Sequence, residues 1–211
     1  MVEFVIQMYP EILERTVEHV YLVAIAVGAA AFIAIPTGIL LTRSEKLSGP
    51  VMGVASVIQT IPSLALLGLM IPIFGIGVGA ALVALFLYAL LPILRNTFTG
   101  INGVDKAIIE AGRGMGMTDK QLLVKVQLPL AVPVIMAGVR TSTVICVGIA
   151  TLVGLIGAGG LGIPIFQGIA MVRSDLILAG AIPAALLALL LDFILGKAEI
   201  KLTPGRKGMQ Q

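Results

Sequence analysis

Between two long apolar segments lies a charged, glycine-punctuated island, Glu110–Pro129, whose residue types suit docking of another protein better than covalent chemistry. Val104 to Ala111 has helical periodicity, with Ile108, Ala111 and Met115 recurring along one face. Gly112, Gly114 and Gly116 are expected to break that helix, and Gly116 is free to take the positive φ of a tight reversal. Thr118 with Gln121 three residues on forms a capping-box pattern that starts a second helix carrying Leu122 and Val126. Two short helices joined by a glycine turn make a compact knob. Its small residues, Ala111 and Gly112, would let a partner's backbone come close.

The other polar groups of interest lie inside apolar runs. In Gln59-Thr60-Ile61-Pro62-Ser63, Pro62 removes a backbone bond, and Gln59, Thr60 and Ser63 can satisfy the freed groups. Two readings stay open on physics alone: a locally repaired kink, or the polar lining of a solute path, since broken helices at membrane depth line cavities. Arg140 is the one basic residue well inside an apolar segment, so it must face protein or water and have a partner. Asp192 is the only carboxylate within such segments and is the obvious candidate. That pair is read either as interhelical glue or as a contact that changes with the state of the molecule. Thr141, Ser142 and Thr143 follow Arg140 and can hydrogen-bond within or between helices. Gly157, Gly159 and Gly162 satisfy a G-x-G-x-x-G spelling, with Gly160 between them. No strand precedes them and no βαβ unit surrounds them, so nucleotide binding is rejected.

The elements that must position these residues are membrane helices. A mean hydropathy of +1.10, with 58% apolar and 12% charged residues among 211, excludes an ordinary soluble domain. Five segments reach the length of about 20 apolar residues that a span needs: Val20–Leu41, Val51–Phe74, Ile76–Leu94, Leu128–Val153 and Leu176–Leu195. The connections at Arg43–Lys46 and Arg95–Lys125 and the tail Lys197–Lys207 hold eleven Lys and Arg, the opposite connections two. The positive-inside rule then places the N-terminus outside, and the Glu110 knob and the C-terminus in the cytoplasm. Residues 1–18 lack the marks of a signal peptide and are expected to lie along the outer interface, with Pro10 interrupting or restarting their helix. The lone His19 is expected to be an interfacial side chain. With a single cysteine, Cys146, there is neither a disulfide framework nor a metal-ligand cluster.

The Glu110–Pro129 stretch resembles the EAA loop of type I ABC-importer permeases, whose pattern is Glu-Ala-Ala, three residues, Gly, nine residues, Ile-x-Leu-Pro. Glu110, Ala111, Gly116, Leu128 and Pro129 match with the spacing kept, while Gly112 replaces an Ala and Val126 an Ile. The segments QTIPSLALLG, AGVRTS and GAGGLG resemble those of permeases for glycine betaine, carnitine or choline, from about His19 to Lys197. The resemblance implies an all-α, polytopic fold with five transmembrane helices and a cytoplasmic coupling helix. It divides the chain into an extracytoplasmic segment 1–18, a transmembrane domain 19–198 with a coupling loop at 103–127, and a cytoplasmic tail 199–211 expected to be disordered. It implies ATPase coupling through Glu110, Ala111, Gly112, Gly116, Leu128 and Pro129. It also implies a translocation path along Gln59, Thr60, Pro62, Ser63, Thr141 and Ser142, with Gly157, Gly159, Gly160 and Gly162 near its outer end.

The implied assembly sits in a bacterial cell membrane, in contact with lipid. It comprises a cytoplasmic ABC ATPase dimer, a second permease copy or paralogue and an extracytoplasmic substrate-binding protein, with no nucleic acid. The chain has no Walker A sequence, so ATP is bound by the partner and this subunit is expected to be neither an enzyme nor a cofactor carrier. Without Trp, and with Tyr9, Tyr21 and Tyr88 scattered, it offers no aromatic cage for a quaternary ammonium, so recognition is delegated to the binding protein. The alternatives are a methionine-type or other small-solute importer and, from a different class, an ATPase-independent carrier or channel. The scarcity of membrane charges suited to an ion relay disfavours the last.

Overall fold

The computed structural model describes the backbone of residues 2–203 and the side chains of residues 8–203 apart from Glu45. Helix α1 (Val2–Leu41) leads to α2 (Glu45–Thr60) and α3 (Ser63–Phe74), then α4 (Val78–Asn102). The short α5 (Lys106–Gly114) and α6 (Asp119–Leu122) come next, and a π-helical turn at Leu123–Gln127 joins α6 to α7 (Leu128–Ala150). After a 3-10 turn at Leu152–Ile156 come α8 (Gly162–Ala170) and α9 (Ser174–Leu202).

Helix α4 is the hub, packing along α1 on one side and α7 on the other, while α9 lies against α7 and α8. The seams are lined by small residues, as expected where lipid removes the hydrophobic drive between helices. Ala26, Ala30 and Ala34 recur every four residues on α1 and are buried, as are Ala81, Ala84 and Ala89 on α4. At the α4–α7 seam a Cβ on Gly138 would lie 2.7 Å from the Asn96 Cβ and 2.9 Å from the Pro92 carbonyl oxygen, so only glycine permits this approach.

Among the described residues four helices are individually long and apolar enough to cross a bilayer, and the fifth expected span is divided. Its halves, α2 and α3, meet at 101°, so Pro62 marks a break and not a repaired kink. The residue before a proline is pushed out of the helical region, and Ile61 accordingly takes φ −67° and ψ 128°. Two further expectations need correction. Helix α1 runs unbroken through Pro10, so the described part of segment 1–18 continues the first span and is not a separate interfacial helix. Helix α9 likewise extends past the expected end of its span, and of the tail 199–211 only residues 204–211 lie outside the described residues.

Candidate functional site

At one end of the bundle α5 and α6 form the expected knob. Asp105 caps α5 by accepting from the Ala107 N–H at 2.9 Å. Gly116 turns the chain at φ +81°. The capping box is complete: the Gln121 N–H donates to Thr118 Oγ1 at 3.3 Å and the Thr118 N–H to Gln121 Oε1 at 2.9 Å. The helix continues through Gly112, however, and Gly112 is buried. A Cβ there would lie 2.6 Å from Leu122 Cδ2, so its smallness serves packing of α5 on α6 and not contact with a partner. Glu110 and Ala111 are exposed on this knob, together with the apolar Ile108 (45%) and Met115 (77%). Arg43 Nη2 fastens the knob to the turn after α1 by donating to the Asp119 carbonyl at 3.0 Å. Leu128 and Pro129 begin α7 directly after the π-helical turn at Leu123–Gln127, inside a continuous helical run, so the ladder loses one bond at Pro129 next to that turn.

At the break, Thr60 Oγ1 donates to the Val57 carbonyl at 2.7 Å, and the Tyr88 hydroxyl donates to the Ile61 carbonyl. Tyr88, which the sequence shows only as one of three scattered tyrosines, reaches across from α4 to satisfy a group that the break frees. Gln59 and Ser63 are half-buried, and Thr60 and Pro62 are exposed. Of the two path candidates on α7, Thr141 is exposed and lines a cavity beside Arg140. Ser142 is fully buried and donates to the Ala89 carbonyl at 2.8 Å, tying α7 to α4 in place of lining a path.

Arg140 and Asp192 do pair. Arg140 Nε lies 2.6 Å from Asp192 Oδ1 and Nη2 lies 2.7 Å from Oδ2, a two-pronged contact between α7 and α9. A third member, Glu199, accepts from Arg140 Nη1 at 3.3 Å. It escaped the sequence reading because it lay beyond the expected span. Gly196 lies beneath the guanidinium, where a Cβ would approach Cζ and Nη1 to 3.1 Å. All three charged side chains are partly exposed, at 36%, 39% and 26%.

At the opposite end the glycine run folds onto itself. Gly157, Gly159 and Gly160 have positive φ, and a Cβ on Gly162 would lie 1.7 Å from the Thr151 carbonyl oxygen. Two side chains of α1 hold this turn. Glu18, itself paired with Arg15 at 3.0 Å, accepts from the Gly160 N–H at 2.9 Å. His19 is fully buried and not interfacial: Nδ1 accepts from the Leu161 N–H at 3.3 Å, which leaves Nε2 to donate to the Val147 carbonyl at 3.1 Å. Val147 stands in the last turn of α7, where carbonyls lack intrahelical donors. His19 therefore caps α7 and anchors the following turn together.

The arrangement is a bundle with a surface knob at one end, a broken helix, a half-exposed ion pair between helices, and a clasped glycine turn at the other end. Residues 34–199 match the profile of the binding-protein-dependent transport system inner membrane component family. The carnitine transport permease protein OpuCB of Listeria monocytogenes is 55% identical, over 92% of this chain and 88% of its own. The choline transport system permease protein OpuBB of Bacillus subtilis (strain 168) is 49% identical, over 95% and 92%. Among solved structures, a chain of the inward-facing MetNI methionine ABC transporter superposes with a TM-score of 0.84 at 25% identity, covering 93% of this chain and 98% of that one. The chain thus belongs to the binding-protein-dependent transport inner membrane components and is a multi-pass ABC-importer permease subunit.

Proposed function

We propose that this permease forms half of the translocation path of an ATP-driven importer for small osmoprotectants such as glycine betaine, carnitine or choline. It works with a second permease copy or paralogue, a cytoplasmic ATPase dimer that hydrolyses the ATP, and an extracytoplasmic binding protein. The solute class rests on the high identity to carnitine and choline permeases along nearly the whole chain. The methionine transporter shares the fold at lower identity, which makes its solute the weaker reading. The orientation is N-terminus out and C-terminus in, supported by the eleven-to-two bias of basic residues.

The knob is the ATPase dock. Exposed apolar side chains on a polar loop mark an interaction surface, and Ile108 and Met115 flank Glu110 there. A half-exposed Arg140–Asp192 pair cannot face lipid without cost. The α7–α9 face that bears it therefore borders water or the second permease. Gln59, Thr60, Ser63 and Thr141 supply the polar groups of the path. Met115→Asp tests the dock: the side chain is exposed, so membrane insertion and yield stay normal, whereas ATPase copurification and betaine uptake are lost. Normal copurification in that variant would refute the dock.

A further inference from the structure

We propose that the Arg140–Glu199 contact is a seat for a zwitterionic solute. The solute carboxylate takes the place of Glu199 on the Nη1 edge of the guanidinium, and its cationic nitrogen takes the place of Arg140 beside the Glu199 carboxylate. This rests on the osmoprotectant reading above.

The two carboxylates hold Arg140 unequally. Asp192 makes two contacts, at 2.6 and 2.7 Å, while Glu199 makes one, at 3.3 Å. Charge-assisted bonds of full strength run at about 2.7–2.9 Å, so Asp192 anchors the guanidinium and Glu199 is the partner that can be exchanged. Gly196 lets the guanidinium lie flat on α9 between them, because a side chain there would push it away. Open space adjoins the seat on both sides. A cavity of about 400 Å³ is lined by the three charged residues with Thr141 and Ile145, and one of about 700 Å³ by the same three with Phe193 and Lys197.

The charge balance selects the guest. Arg140 and Lys197 face Asp192 and Glu199, two charges of each sign. A zwitterion inserted into the Arg140–Glu199 pair leaves every charge with a counterpart and the total at zero. A simple anion would strand Glu199, and a simple cation would leave an excess positive charge, both costly away from bulk water. The face of Phe193 already accommodates a cation, with Lys197 Nζ 4.3 Å from the ring centroid. A quaternary ammonium is the same kind of guest for such a ring. A seat with one fork and one ring holds its solute weakly, as suits a way-station fed by a tight binding protein.

The experiment places a thiol beside the seat, by Thr141→Cys in a Cys146→Ala background, in membranes that contain the full chain with its partner subunits. Glycine betaine at about 100 mM should slow alkylation of that thiol by about threefold or more through simple occupancy. Carnitine should do the same, whereas choline, which has no carboxylate, and sucrose of equal osmolality should not. Glu199→Gln, which keeps the shape and removes the counter-charge, should raise the betaine concentration for half-protection by about tenfold. Equal protection by choline, no protection by betaine, or unchanged protection in Glu199→Gln would each overturn the seat. ATP-driven uptake measured in parallel separates the two readings. Protection without betaine uptake refutes the osmoprotectant importer and keeps the seat. Uptake without protection refutes the seat alone.

Discussion

His19→Leu tests whether the glycine turn is held by the clasp or only by its own backbone. The imidazole is fully buried and serves two groups that are themselves buried, the Leu161 N–H and the Val147 carbonyl. Leucine fills most of the volume and offers neither a donor nor an acceptor. Each buried polar group left unmade costs about 1–3 kcal/mol, so the turn loses roughly 2–6 kcal/mol of local stability. Because about 1.4 kcal/mol is a factor of ten, even the lower bound opens the segment about 30-fold more often. Hydrogen–deuterium exchange of a peptide spanning 154–162 reads this directly, with a peptide from α4 as the control for global unfolding. The expected result is exchange faster by at least that factor at Leu161, with α4 unchanged. Glu18→Gln keeps an acceptor for the Gly160 N–H and should give a smaller increase. Wild-type exchange at Leu161 in the His19 variant would refute the clasp, since the turn would then be held by the backbone alone.

For topology, single cysteines at Ser48 and Ser174 in a Cys146→Ala background should differ towards an impermeant thiol reagent in intact cells. Position 174 should react and position 48 should not; the reverse pattern would invert the proposed orientation. In the glycine turn, Gly162→Ala should abolish assembly of monodisperse protein in size-exclusion chromatography, because its Cβ would overlap the Thr151 carbonyl oxygen. Gly157→Ala should be tolerated at a cost of about 1–2 kcal/mol, since its φ is +69° but its surroundings are open. Equal losses in the two variants would sink the steric argument.

Features set by rarity or local pattern could be read before folding. Arg140 and Asp192 are the only opposite charges at membrane depth in the expected spans, so each had one partner to find, and they meet. Thr118 and Gln121 are three residues apart and settle the knob's second helix by themselves. Contacts over long separations could not be read in this way. His19 meets Val147 and Leu161 across 128 and 142 residues, and nothing near it in sequence announces a helix end or an unsatisfied amide. Glu199 was hidden by a misplaced boundary: α9 runs to Leu202, which brings a residue assigned to the tail up against Arg140. Proline gave opposite outcomes at two sites. Helix α1 passes through Pro10, while the chain breaks at Pro62, where the Tyr88 hydroxyl captures the exposed Ile61 carbonyl. The pre-proline restriction acts at both sites, and at the break a donor from another helix, the Tyr88 hydroxyl, takes up the freed carbonyl.

One element touches the knob, the ion pair and the glycine turn. From Asp119 to Ala150 the chain is helical for 32 residues, about 48 Å at 1.5 Å per residue, enough to span a bilayer. Its first turn belongs to the α5–α6 knob, Arg140 stands about two-thirds of the way along it, and its last turn is capped by His19. A stiff helix held at its far end pivots there, so motion imposed on the knob grows with distance from the cap. Arg140 lies about 15 Å from the capped end, roughly a third of the way from that pivot to the knob, so a displacement of the knob would reach it reduced in proportion. The π-helical turn at Leu123–Gln127 is where such motion can be absorbed before it reaches the membrane, as π-turns allow local rearrangement of the hydrogen-bond ladder. What passes that turn strains the charged contacts in order of weakness. Under such strain the single 3.3 Å contact to Glu199 would yield before the two short ones to Asp192, so the proposed seat would open while the helices stay joined.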